Sequence, residues 1–304
     1  LRALIQCIGL EGKKIQAYHI GFILAPCLNA SGKLDTAKRA LALLRAKTER
    51  EADMLAGDLK ALNESRRDMT DRVVDEAMAK VERTDIRGDK VLVIYLPDCH
   101  ESLAGLVAGR VRENYYRPVF VLTDSEDGVK GSGRSIESYS MYEELTGCGD
   151  LLTKFGGHPM AAGLSLDKEN VEKFKRRLND QCTLSEEELT EKVVIDMELP
   201  FAAITEHFIE ELEYMEPFGK GNTKPVFAAR GVAMQHVKII GKNKNVAKAT
   251  DAAGNRMEAI CFHDAQEFAK QCERNNGKMS ITFYPGINEF RGERQIQIVI
   301  THYR

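Results

Sequence analysis

The sequence predicts an α/β domain followed by a small β-barrel, with a long helix ahead of both. Three observations carry that prediction. Residues 35–83 hold a single glycine, Gly57, and no proline, and their apolar residues recur three and four apart. Residues 84–183 alternate strand-like apolar runs with helix-like runs. Residues 184–304 are mostly short strand-like runs with turns between them.

The chain opens on "LRALIQCIGLEGKK", without an initiator Met and in what reads as the last turns of a helix. It is therefore expected to be a piece of a longer protein. Across 35–83, Leu55, Leu59, Leu62, Met69, Val73, Ala77 and Val81 form one stripe, on a long helix or on two in line, and charge covers the other faces. A connector bridging two bodies fits that pattern, and so does an amphipathic helix docked on a core.

"RGDKVLVIYLPD" gives a turn and a buried strand over 91–96. "SLAGLVAGRVRENYY" reads as a helix with Ser102 at its N-cap. "RPVFVLTD" and "GVKGSGRSIES" are the second and third strands, and "SMYEELTGCGDLLTKF" one or two short helices. Residues 160–166 form a fourth strand, and "KENVEKFKRRLNDQC" a closing helix. The acidic "TLSEEELTEKV" reads as a linker. Beyond it, five or so short strands and a helix near "HDAQEFAKQC" suit a barrel of the OB kind.

Composition narrows the function classes. A hydrophobic content of 43% supports a full core, and the net charge of −3 excludes a chain that coats nucleic acid over its whole surface. A local basic face remains open. The seven cysteines include no C-x-x-C pair, which argues against a disulfide framework or a zinc cluster. They read as buried thiols of a reducing cytoplasm. No apolar run reaches the roughly 18 residues of a membrane span, and no signal peptide is visible.

Two segments draw attention as chemistry. "KGSGRS" sets Lys130, Ser132, Arg134 and Ser135 among glycines that let backbone N–H groups approach an anion. "KFGGHPMAAGLSL" then offers Gly156 and Gly157 for a tight turn and His158 as a hydrogen-bond or proton donor to a phosphoryl oxygen. A phosphodiester site fits both; a plain turn with a locally satisfied histidine fits the second equally. Between Pro217 and Thr250 stand Lys220, Lys224, Arg230, Lys238, Lys242, Lys244 and Lys248 with no acid among them. That is the pattern of an electrostatic track for a nucleic-acid backbone, with Phe218, Phe227, Phe283, Tyr284 and Phe290 as stacking faces. A solvated basic face with core aromatics is the alternative. His19, His100, His207, His236, His263 and His302 are isolated, and no D-x-D or D-H-H cluster occurs, so no metal ligands are expected.

"KFGGHPMAAGLSL" resembles the signature of the DHHA1 domain of DHH-family phosphoesterases. "GSGRS", "HESLAGLVAGRVRENYYRPVFVLT", "EPFGKGNTKPVF" and "NEFRGERQIQIVI" resemble the RecJ family of single-strand exonucleases within that group. The resemblance implies an end of the DHH catalytic domain at 1–34, a connector helix at 35–83, DHHA1 at 84–183 and an OB-fold domain at 184–304. It implies 5′-to-3′ degradation of single-stranded DNA in recombination and repair, in the cytoplasm. Mn²⁺ or Mg²⁺ would be bound by the DHH domain and none by these residues, which could not cleave alone. Partners would be single-stranded DNA and a single-strand-binding protein or helicase.

In the supporting catalytic roles the resemblance places Arg134 and His158. In nucleic-acid binding it places Asn29, Lys33, Lys130, Ser132, Ser135, Gly156 and Gly157, with Lys220, Asn222, Lys242, Lys244 and Arg291 from the barrel. Cys27 and Lys33 depart from the family pattern, standing where arginines are usual in "PCLNASGKL". Two rivals are a stand-alone single-strand-binding module and a DHH phosphodiesterase acting on small nucleotides.

Overall fold

A computed structural model describes residues 1–34, 36–219, 221–241, 246–251, 257–262, 265–290 and 292–304, with side chains left aside at 33, 34 and 290. The chain divides into two compact units, residues 1–191 and 192–304.

The first unit opens with α1 (Arg2–Cys7), a π-helical turn at Ile20–Leu24 that runs into α2 (Ala25–Leu34), then α3 (Lys38–Arg45) and α4 (Glu49–Arg83). Of the two readings of 35–83, one long helix or two, the structure has two, parted at Ala46–Thr48. Thr48 caps α4, its side chain accepting from Glu51 N at 3.2 Å, while the Glu51 carboxylate accepts from Lys47 N at 3.1 Å. The T-x-x-E spacing of a capping box was the overlooked signal. Along α4, Ala56 and Leu59 pack with Leu4, Leu24, Cys27 and Leu43. Farther on, Ala77 and Val81 enter a second core with Leu92, Ile94, Leu103 and Val107. One helix is thus docked at both ends, on two different cores, so each sequence reading describes half of it.

The sheet follows: β1 (Leu92–Tyr95), α5 (Glu101–Tyr115), β2 (Val119–Ser125), β3 (Gly128–Arg134), α6 (Met141–Gly147), β4 (Leu152–His158), β5 (Ala161–Leu166) and α7 (Val171–Gln181). The strand order is β1-β2-β3-β5-β4, with β1 and β2 parallel and the other neighbours antiparallel. Alternate residues of β1 and β2 face opposite layers. Leu92, Ile94, Val119 and Val121 pack with α4 and α5, whereas Val93, Phe120 and Leu122 pack with Leu145, Phe174 and Leu178. The N-cap of α5 is His100 rather than Ser102; its Nδ1 accepts from Ser102 N at 3.3 Å.

Two further expectations are corrected here. Residues 152–155 form the start of β4, not the end of a helix, because the α-helix stops at Gly147 and the chain then zips onto β5 from Leu152 to His158. The acidic segment after α7 is no free linker. Leu184 and Leu189 are buried in the sheet's core, and their carbonyls accept from Lys90 Nζ and Arg117 Nη1, each at 2.6 Å.

The second unit comprises β6 (Met197–Glu198), α8 (Glu206–Glu213), β7 (Phe227–Ile240), β8 (Val246–Asp251), β9 (Met257–Cys261), α9 (Ala265–Arg274), β10 (Lys278–Phe290) and β11 (Glu293–Tyr303). Strands run β7-β8-β9-β11-β10, and a β10–β7 pairing closes the ring. β9 and β11 are parallel, with α9 between β9 and β10. That is the five-stranded barrel of the OB kind, filled by Phe227, Ala247, Ala259, Phe268, Phe283 and Ile298.

Candidate nucleic-acid interface

Period-two alternation on β3, β5 and β4 assembles one polar face. The register aligns Arg134 with Ala161 and His158, Ser132 with Gly163 and Gly156, and Lys130 with Ser165 and Lys154. Residues some 25 positions apart in sequence thus share a cross-strand row, and the two motifs singled out in the sequence become one surface.

Arg134 is its centre of charge. The side chain is half-buried, packed over Gly105 of α5, and its Nη1 donates to the Gly133 carbonyl at 2.7 Å. Burial first, and the neighbouring Arg112 second, push its pKa below the usual guanidinium value. No carboxylate pairs with it among the described residues. A half-buried guanidinium beside a second arginine is poorly compensated until an anion arrives, and its planar fork matches phosphate oxygens.

His158 ends β4 on the same row, exposed and unpartnered among the described residues. Two strand spacings separate the row's ends, roughly 10 Å between Cα atoms. Main-chain bonds hold the hairpin between β4 and β5: Ser135 N donates to Met160 O at 3.0 Å and Met141 N to Pro159 O at 2.9 Å.

Ser135 itself is not a phosphate ligand. It is 1% exposed and its hydroxyl donates to Tyr139 O at 2.5 Å, so it fixes the turn that presents Arg134 and His158. The expected glycine nest is also corrected. β3 is a central strand paired on both sides, so its amides serve the ladders. A Cβ on Gly133 would lie 2.7 Å from Met141 Sδ and from Phe120, on the core side. Gly157 is similarly structural: its Cβ would lie 2.4 Å from Ala161 O. Neither Gly156 nor Gly157 makes the turn, which falls after β4.

In the N-terminal helices Asn29 is exposed, whereas Cys27 is 2% exposed in the core and burial pushes its thiol pKa up. The Lys33 side chain lies outside the described residues. Arg66 of α4 stands beside Cys27 and donates to Asn63 Oδ1 at 2.8 Å.

The barrel divides the predicted basic track. Lys220, Lys242, Lys244 and Arg291 lie outside the described residues. Arg230 pairs with Glu198 at 3.6 Å, and Lys248 pairs with Glu258. Lys238 and Lys248 stand directly opposite each other across β7–β8, an arrangement that costs stability between like charges. On the same stretch Ile240 is 41% exposed, and Phe262, just past β9, is 51% exposed. Phe227 and Phe283 are core residues, not stacking faces. Lys224 Nζ sits 4.5 Å from the Tyr284 ring centre and 5.8 Å from that of Phe218, and burial pushes the Tyr284 hydroxyl up to about 12. Asn222 closes the loop beneath, its Nδ2 donating to Met215 O at 2.8 Å and Pro217 O at 3.1 Å. Asn222 thus has a structural role in this loop. Sequence reading missed Arg112, Lys154 and Phe262; period-two counting back from His158 through Gly156 would have placed Lys154 on the polar face.

A sheet carrying a Gly-Gly-His hairpin beside Arg134, in one chain with an OB barrel, has the layout of a DHHA1 domain joined to an OB domain. The DHHA1 domain model matches residues 88–184, and the RecJ OB domain model residues 195–302. The chain belongs to the RecJ family. Single-stranded-DNA-specific exonuclease RecJ of Bacillus subtilis (strain 168) is 32% identical over 305 residues, covering 99% of this chain and 38% of that protein. Its counterpart in Escherichia coli (strain K12) is 31% identical over 310 residues, covering 99% and 53%. The chain therefore spans about half or less of these relatives' length. RecJ from Thermus thermophilus in complex with Mn²⁺ matches with a TM-score of 0.80 at 24% identity, over 100% of this chain and 43% of that one, a likeness of fold. An exonuclease RecJ bound to manganese matches with a TM-score of 0.52 at 34% identity, over 59% and 44%.

The ions in those structures can be tested against the donors here. Among the described residues no group of three or more His, Cys, Asp or Glu side chains could hold a metal ion. The described residues therefore do not fit a divalent ion. No helix among the described residues is long and apolar enough to cross a membrane.

Proposed function

We propose that this chain is the strand-holding part of a RecJ-type exonuclease acting on single-stranded DNA. The observation that carries the proposal is Arg134: half-buried, beside Arg112, without a carboxylate partner among the described residues, and on the same cross-strand row as His158. In this reading Arg134, with the Ser132 hydroxyl beside it, holds a phosphate, and His158 donates a hydrogen bond to it from the other end of the row. The barrel contributes its own contacts through Lys238 and the exposed ring of Phe262, with Lys220, Lys242, Lys244 and Arg291 in the same role. Asn29 and Lys33, and the assignment of 1–34 to the end of a DHH domain, belong to the same reading.

In this reading the chain binds the strand, and bond cleavage belongs to metal donors of a DHH domain. The cellular setting is recombination and repair in a reducing cytoplasm, with a single-strand-binding protein or helicase presenting the strand. No disulfide joins any of the seven cysteines, which suits that setting.

Fluorescence anisotropy with single-stranded and duplex DNA tests the proposal, with manganese added and cleavage followed in the same samples. Tighter binding to single strands without cleavage is the expected result. Equal affinity for both would reject the single-strand reading, and cleavage would place a metal site within these residues.

A further inference from the structure

The polar face continues beyond Arg134 and His158 into a groove of about 470 Å³. Lys130, Ser165 and Lys154 close its far end, Ser132, Gly163 and Gly156 form its floor, and Glu101 and Ser102 of α5 stand along one wall. Positive charge therefore stands at both ends of a bare middle row, with the end rows roughly 13 Å apart along the strands.

The bareness has no cause within the fold. A Cβ on Gly156 would meet nothing within 4 Å, and one on Gly163 only Gly131 O at 3.9 Å. Neither residue has a positive φ. Gly133 and Gly157, each one residue along the chain from this floor, are the opposite case, because packing forbids a side chain there. The far end is available to an anion as well. Lys154 is exposed and has no carboxylate partner among the described residues. Lys130 is paired with Glu101 at 2.7 Å through half-exposed side chains, a pair of the kind that contributes little and exchanges readily.

We propose that this groove is a second subsite, one that takes a whole nucleotide flanked by two phosphates. Sugar and base lie on the Gly156–Gly163 floor, one phosphate meets the Arg134–His158 row, and the other meets Lys130 and Lys154. The inference rests on reading Arg134 and His158 as a phosphate site, and adds to it a requirement for a second phosphate.

Isothermal titration of the chain with 5′-phosphorylated thymidine dinucleotide and with thymidine 5′-monophosphate separates the two ideas. The dinucleotide is expected to bind about tenfold more tightly, as one added charge-assisted contact allows. Lys154→Ala should bring the ratio of the two affinities close to one. Gly163→Val should abolish the dinucleotide's advantage while the melting temperature stays in place, and Gly156→Ala serves as a milder second variant. Equal affinities in the unmodified chain, or a Gly163→Val chain that keeps the full advantage, would overturn the subsite. Arg134→Ala reports separately: an unchanged monophosphate affinity there removes the underlying phosphate reading, even where the Lys154 effect persists. Failure of both ligands to bind overturns both.

Discussion

The sheet of the first unit and the barrel of the second hold their charges in contrasting ways. On the sheet, Arg134 sits on a central strand, locked by ladders on both sides and packed over Gly105 of α5. In the barrel, Arg230 and Lys248 are each paired with a carboxylate, and Lys238 is an exposed residue held by one neighbouring strand. A group on a rigid, doubly paired strand is positioned to within the tolerance a specific contact needs. Exposed lysines act on a polyanion mainly as point charges, through counterion release. On the proposed reading, the sheet fixes phosphates at set positions and the barrel attracts a polyanion.

The largest expected effect tests the sheet's side of that contrast. Arg134→Ala should weaken binding of a 5′-phosphorylated single strand about 100-fold, as truncating one member of a desolvated charge contact does. Arg134→Lys should recover only part of the loss, because an ammonium lacks the bidentate fork. Anisotropy titrations of the three chains give the comparison directly. Full recovery by lysine would mean that the sheet, too, offers only a point charge.

The second effect is on stability. Gly133→Val forces a side chain into Phe120 and Met141, and overpacking of this kind costs about 3 kcal/mol. A change below about 0.5 kcal/mol in urea unfolding, the level of an ordinary surface substitution, would show that the core beneath the site yields. Ser135→Ala should cost less, about 1.5 kcal/mol, since it removes one buried hydrogen bond. It should also weaken phosphate binding, although the hydroxyl never touches the ligand. Lost stability with intact binding would separate the turn from the site.

How much of this was legible beforehand follows from which interactions are local. The βαβ start of the sheet, the closed barrel and the polar residues Arg134 and His158 were all readable, because alternation and motif spacing are properties of contiguous chain. The row that joins them was not, because register between β3, β5 and β4 is set by pairing between segments distant in sequence. The roles of glycines were equally hidden: Gly133 and Gly156 look alike in "KGSGRS" and "FGGH", and only their surroundings separate a packing requirement from an open floor. The local contacts of Ser135 and Asn222 were hidden for a related reason. A polar side chain beside a motif suggests a ligand contact, but each of these closes a turn on main-chain carbonyls.

The smallest effect is the sharpest test of the barrel. Lys238 faces Lys248 across β7–β8, and Lys248 is held by the Glu258 carboxylate on β9. Removing Lys238 takes away a like-charge neighbour, so Lys238→Ala should stabilise the chain by about 0.3 kcal/mol. If a nucleic-acid backbone crosses this face, the same substitution should also lower the slope of log affinity against log salt by about 0.7, the release accompanying one single-strand phosphate contact. The two readouts move in opposite directions, stability up and binding down, which general damage to the barrel cannot imitate. A gain in stability with an unchanged salt slope would leave the lysine pair as a solvated charge clash, and would move the barrel's strand contacts to another face.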